Sequence, residues 1–85
     1  MTSKLEIFKK KLIYRAAYRG TKEMDILLTS FVDTVINNLE YLELLNLDEF
    51  LNINDEDLYG FYLNSNPISS FKNKKILDLF KNFKI

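Results

Sequence analysis

Cysteine, histidine and tryptophan are all missing from the chain, and each absence removes chemistry. Without cysteine there is no disulfide framework, and a reducing compartment is the natural setting. Without cysteine or histidine there is no thiolate nucleophile, no Ser–His relay, no histidine acid–base catalysis and no zinc site with nitrogen or sulfur ligands. Only two glycines and one proline are present, too little punctuation for a fold rich in β-turns. No apolar run is long enough to span a bilayer. The opening Met1-Thr2-Ser3-Lys4-Leu5-Glu6 lacks the apolar core of a signal peptide, and Glu6 with so few arginines argues against a transit peptide. The expected location is the bacterial cytoplasm, or the mitochondrial matrix for a eukaryotic chain lacking its transit peptide.

What is present suits one small helical domain. Eighty-five residues supply a single core, and an apolar fraction of 47% is too high for disorder. Net charge is zero, yet the signs are sorted. Met1 to Lys22 holds seven Lys/Arg against Glu6 alone, and Glu23 to Leu63 holds ten Asp/Glu with no Lys or Arg. From Asn64 onward five lysines face Asp78. Two readings follow: basic and acidic helices that neutralise each other by packing side by side, or a two-signed surface that steers a protein partner.

Apolar residues recur at helical spacing in five segments, predicting an all-α bundle over residues 1–85, with 69–85 less tightly held. Ser3 and Glu6 fit a capping box for a first helix running to about Tyr18, with Leu5, Phe8, Leu12 and Ala16 as its buried stripe. Lys11, Arg15 and Arg19 form a basic ridge beside it, and Gly20 is placed for the left-handed residue that ends a helix. Thr21 caps a second helix that buries Met24, Leu27, Leu28, Phe31 and Val35 and fades at Asn37-Asn38. A third, about Tyr41 to Leu51, is expected to bury Tyr41, Leu44, Leu45, Phe50 and Leu51. Asp55 is the expected cap of a fourth, through Leu63, whose Gly60 signals close packing. After Asn66-Pro67, Ser69 or Ser70 is expected to open a fifth helix carrying Phe71, Ile76, Leu77, Phe80 and Phe83. Its early Lys72, Lys74 and Lys75 oppose the helix dipole, so the segment is expected either to fray or to seek an acidic surface.

The candidate chemical constellations are weak. Most of the twelve Phe and Tyr residues lie on apolar stripes, leaving Tyr14, Tyr18, Tyr59 and Tyr62 as candidates for exposed rings. No glycine loop cradles a phosphate. Asp55-Glu56-Asp57 lacks the framework of a calcium loop and reads as helix capping. Lys9-Lys10-Lys11 with Arg15, Arg19 and Lys22 suggest phosphate binding, but a chain of zero net charge with an acidic middle is a poor nucleic-acid binder. Nothing here is catalytic, and no metal or cofactor site is expected.

One segment carries more. Tyr14-Arg15-Ala16-Ala17-Tyr18-Arg19-Gly20-Thr21-Lys22-Glu23-Met24-Asp25-Ile26-Leu27-Leu28 resembles the signature of the succinate dehydrogenase assembly factor 2 family (bacterial SdhE type), an Arg-Gly-x-x-Glu-x-Asp run between two helices. Asp55-Glu56-Asp57-Leu58-Tyr59 resembles a second block of that family, an acidic pair followed by leucine and an aromatic. The resemblance spans about residues 8 to 67. It departs at Ala17, Tyr18, Thr29 and Phe61, the last standing where tryptophan is common.

The resemblance implies a five-helix bundle that binds the flavoprotein subunit of succinate dehydrogenase, with relatives that also serve fumarate reductase. It implies a chaperone that promotes covalent attachment of FAD to a histidine of that subunit, the FAD belonging to the partner and not to this chain. Arg19, Gly20, Glu23 and Asp25 match the motif, and Arg15 lies on the same ridge, so these five are the expected partner-binding residues. Arg19 is expected to aim its guanidinium at the partner, so that losing either Arg19 or Glu23 leaves stability nearly unchanged. The chain is expected as a monomer when free, binding no nucleic acid and spanning no membrane. The rival class is a helical adaptor whose basic ends bind nucleic acid or an anionic membrane.

Overall fold

In the computed structural model, which describes residues 3–84, five α-helices follow one another and no strand occurs among the described residues. They are α1 (Lys4–Ala17), α2 (Lys22–Val35), α3 (Tyr41–Phe50), α4 (Asp55–Asn64) and α5 (Lys74–Asn82), with a short 3-10 turn at Ile36–Asn38 after α2. The sequence readings that touch Met1, Thr2 and Ile85, the leader and the last residue of the fifth segment, lie outside the described residues.

Small polar side chains start four of the helices by accepting an otherwise orphaned backbone N–H. Ser3 Oγ accepts from Glu6 at 3.1 Å and Thr21 Oγ1 from Met24 at 3.3 Å. The fourth and fifth starts differ from expectation. Asn54, not Asp55, caps α4, accepting from the Asp57 N–H at 2.8 Å. Asp55 is the first helical residue, and its carboxylate faces Arg19 instead. Helix α5 begins at Lys74 under an Asn73 cap, well after Ser69 and Ser70. Phe71 is already buried in the segment before it, against Phe50 at 5.6 Å between ring centres, so the core holds that stretch as non-helical backbone.

The core is a phenylalanine cluster wrapped in leucines. Phe31 of α2 meets Phe80 of α5 edge-on at 5.1 Å and Phe50 of α3 at 5.8 Å, while Phe50 meets Phe80 at 5.2 Å. Each such pair adds about 0.5–1.5 kcal/mol beyond the area it buries. Helix α5 therefore fills the centre through Ile76 and Phe80. Lys81 Nζ reaches the Phe61 and Tyr62 carbonyls near the C-terminus of α4, where a cation opposes the negative end of the helix dipole.

Three apolar placements read from sequence are corrected. Leu5, Tyr41 and Leu45 are exposed, and Leu47 joins Val32, Ile36, Leu39, Ile53 and Leu58 as core residues that the sequence reading did not name. Helix α3 is apolar nearly all round, so periodicity could not choose its inner face; Leu44, Leu47, Phe50 and Leu51 make it. Tyr62, expected outside, is half-buried and donates its hydroxyl to the Phe83 carbonyl at 2.7 Å. Close packing at Gly60 holds: a Cβ there would stand 3.0 Å from Asn66 Nδ2.

Candidate functional site

The turn between α1 and α2 carries Arg19-Gly20-Thr21, and the structure sets it against the loop between α3 and α4. Gly20 has φ +118°, a backbone state that a Cβ would strain although nothing crowds the position; the nearest side-chain atom, Asp55 Oδ2, would be 3.9 Å away. This conformation reverses the chain and delivers Arg19 to its partners.

Arg19 has four hydrogen bonds, none of them to Glu23. Its backbone N–H donates to Asp25 Oδ1 at 2.6 Å, closing the turn locally. Nε donates to Asp55 Oδ1 at 2.8 Å, and the two terminal nitrogens donate to the Leu51 and Ile53 carbonyls at 2.5 and 2.6 Å. The Arg19 side chain is 11% exposed and that of Asp55 24%. The guanidinium therefore points inward, contrary to its expected aim at a partner. Planarity explains why arginine serves here: one rigid fork matches a carboxylate and two carbonyls at once.

Arg15 repeats the arrangement one turn earlier, donating to the Asp48 carboxylate and carbonyl and to Asn52 Oδ1. The basic set weighed and set aside for phosphate binding thus has both its arginines turned onto acids of the same chain. Asp25 is half-buried and occupied by the Arg19 amide. Of the five expected docking residues, Glu23 and Gly20 are the exposed ones. Glu23 enters no ion pair or side-chain hydrogen bond among the described residues.

Exposed Glu23 borders a cleft of about 350 Å³ together with Thr21, Met24, Asp55, Glu56 and Tyr59. A second cleft, about 450 Å³, lies across the Asp55–Glu56 edge beneath Tyr18 and Arg19. The two sequence blocks that carry the resemblance are therefore one place in space, joined by the Arg19–Asp55 pair. Glu56, Tyr59 and Tyr18 were not in the expected set. Glu56 and Tyr59 share the cleft with Glu23, and their place in the second block was the available signal; Tyr18 lines the neighbouring cleft and stands in the first block.

Charge sorting has a structural outcome. The three ion pairs among the described residues, Arg15–Asp48, Arg19–Asp55 and Lys75–Glu43, each join a basic end segment to the acidic middle. Lys75 beside Glu43, helped by the Glu40 backbone N–H, holds the Glu43 carboxyl below its ordinary value of 4.5.

Residues 10–84 match the family described as flavinator of succinate dehydrogenase. The chain belongs to this family. It is 30% identical over 81 residues to succinate dehydrogenase assembly factor 2, mitochondrial, of Danio rerio, covering 93% of this chain and 51% of that protein. It is also 30% identical over 79 residues to assembly factor 2-A, mitochondrial, of Drosophila mojavensis, covering 91% and 50%. A Penicillium rubens relative is 35% identical over 57 residues, 67% of this chain and 18% of its own length. The chain thus spans about half the length of the animal relatives, and less of the fungal one. No solved structure matches. No helix among the described residues is long and apolar enough to cross a membrane.

Proposed function

We propose that this chain binds the flavoprotein subunit of succinate dehydrogenase and promotes covalent attachment of FAD to it, as a chaperone and not as the catalyst. The observation that carries this reading is the joining of both family blocks at one corner. Arg19 fixes the α3–α4 loop against the motif turn, and Glu23, Glu56, Tyr59 and Tyr18 are left outward around it. A rim of carboxylates and aromatic rings on a turn and a loop that Arg19 holds together suits recognition of a protein surface, because little backbone freedom remains to be lost on docking. With no Cys or His the chain offers no strong nucleophile or near-neutral acid–base group, so the reacting histidine and the FAD belong to the partner.

Glu23→Ala tests the reading. Its carboxylate supports only the helix dipole, worth about 0.3–1 kcal/mol, so the protein should stay folded with nearly unchanged melting. As an interface anchor its loss costs about 2 kcal/mol of binding, roughly thirtyfold in affinity. Titration of the flavoprotein and measurement of covalent FAD check both; normal flavinylation by folded Glu23→Ala protein would remove Glu23 from the site.

A further inference from the structure

The cleft that Glu23 borders has two unlike parts. One is apolar: Met24, only 3% exposed, lies at its bottom, and the Tyr59 ring, 41% exposed, stands beside it. The other is a rim of carboxylates, Glu23 from the first turn of α2 with Asp55 and Glu56 from the first turn of α4. Arg19 holds Asp55, whereas Glu23 and Glu56 enter no ion pair among the described residues. None of the chain's twelve Lys and Arg lines the cleft.

These two parts narrow what fits. A volume of about 350 Å³ is at the lower limit for a small-molecule site and suits a single long side chain. The rim repels a phosphate, so the FAD pyrophosphate is a poor occupant. A divalent cation needs converging oxygen ligands, and no three acids among the described residues are grouped to hold one. An apolar side chain would match Met24 and Tyr59 but take water from two unpaired carboxylates. Arginine and lysine match both parts. Their methylene stems pack on apolar surface and against a tyrosine ring, while the charged head stays at the rim and donates to carboxylates.

We infer that this cleft receives one arginine or lysine side chain of the flavoprotein subunit, an inference that rests on the assembly role proposed above. Glu56 is then a second anchor beside Glu23, acting through its charge. Glu56→Gln keeps the size of the side chain and removes that charge. With the flavoprotein subunit as titrant, affinity should fall about tenfold for Glu56→Gln and further for Glu56→Lys. Glu56 is exposed, so both variants should keep the helical circular dichroism of wild type.

Footprinting of the flavoprotein identifies the cation, with reductive methylation reading lysine and phenylglyoxal reading arginine. The wild-type chain should protect at least one such residue. Replacing that residue by glutamate should weaken binding of wild type and restore binding of Glu56→Lys. Equal affinity of Glu56→Gln and wild type overturns the inference and leaves the assembly role standing. So does a footprint without a protected lysine or arginine, or a charge swap that restores nothing. A wild-type chain that does not bind the flavoprotein at all refutes the assembly role, and the inference with it.

Discussion

Arg19→Ala is the substitution on which sequence and structure disagree most. Read from the motif, it removes a guanidinium aimed outward and leaves the fold alone. Read from the structure, it strips the Asp55 carboxylate and the Leu51 and Ile53 carbonyls of their donors in a corner only partly open to water. Hydrogen bonds to a charged group contribute about 1.5–3 kcal/mol each, and an orphaned polar group costs about 1–3 kcal/mol. Breaking a fully buried pair costs about 3–5 kcal/mol, and the residual exposure of Asp55 lets water recover part of that. An overall loss of about 2–4 kcal/mol is expected. At about 4–8 °C per kcal/mol for a domain of this size, melting should fall by at least about 8 °C.

The assay is thermal and urea unfolding of Arg19→Ala, Asp55→Ala and the double variant. The cycle should return a coupling of at least about 1 kcal/mol, because the two side chains share one contact. Arg19→Lys should recover little, since an ammonium cannot reach a carboxylate and two carbonyls in one plane. Flavinylation should fall with the folded fraction and not beyond it. An Arg19→Ala protein that melts within about 2 °C of wild type yet fails to bind the flavoprotein would refute this reasoning and return Arg19 to the interface.

Three further outcomes follow from the same structure. Gly20→Ala should lose about 1–2 kcal/mol, from the strain of φ +118° and not from crowding, read as a shift in the urea midpoint. Phe80→Ala removes a fully buried ring from the centre of the aromatic cluster and should cost about 3–5 kcal/mol, enough to leave so small a domain marginal at 37 °C. The Glu43 carboxyl titrates below 4.5 in the folded chain, so its pairing with Lys75 stabilises above the unfolded value and is lost as pH falls through the lowered one; Lys75→Met should flatten the stability profile below about pH 4.5 relative to wild type.

Much of this was legible because it is local. Ser3 and Thr21 cap where short polar side chains precede an apolar stripe, and α2 buries its predicted residues because its polar positions leave one inward face. Legibility failed where a choice depended on another part of the chain. Asn54 and Asp55 both cap well, and only Arg19, 36 residues earlier, decides that Asp55 turns away. Ser69 and Ser70 are good caps too, but the Phe50 ring fixes Phe71 ahead of any helix. A hint was available for the arginines. Arg15 and Arg19 stand four apart, and Asp48, Asn52 and Asp55 recur four and three apart, a matching comb on the facing segment.

That comb bears on why the charges are sorted at all. If neutralisation were the whole reason, every basic side chain near an acid would be paired, and three pairs do link the basic ends to the acidic middle. Arg19–Asp55 holds a turn and a loop in one geometry at the motif corner, Arg15–Asp48 ties α1 to α3 one turn earlier, and Lys75–Glu43 fastens α5 to α3. Glu23, Glu56, Lys10, Lys11 and Glu49 are left exposed. Isolated surface charges of this kind contribute little to stability, while they raise encounter rates and reject wrong partners. The pairing reading therefore holds where paired charges set the shape of the corner; under the proposed function, the steering reading falls to the unpaired ones. Salt separates them. Raising ionic strength from about 0.05 to 0.5 M shortens the Debye length from roughly 14 to 4 Å, which should slow flavoprotein association severalfold. Melting should move by only a few degrees, because the Arg19–Asp55 contact is shielded from bulk ions. Equal sensitivity of melting and association would break this division.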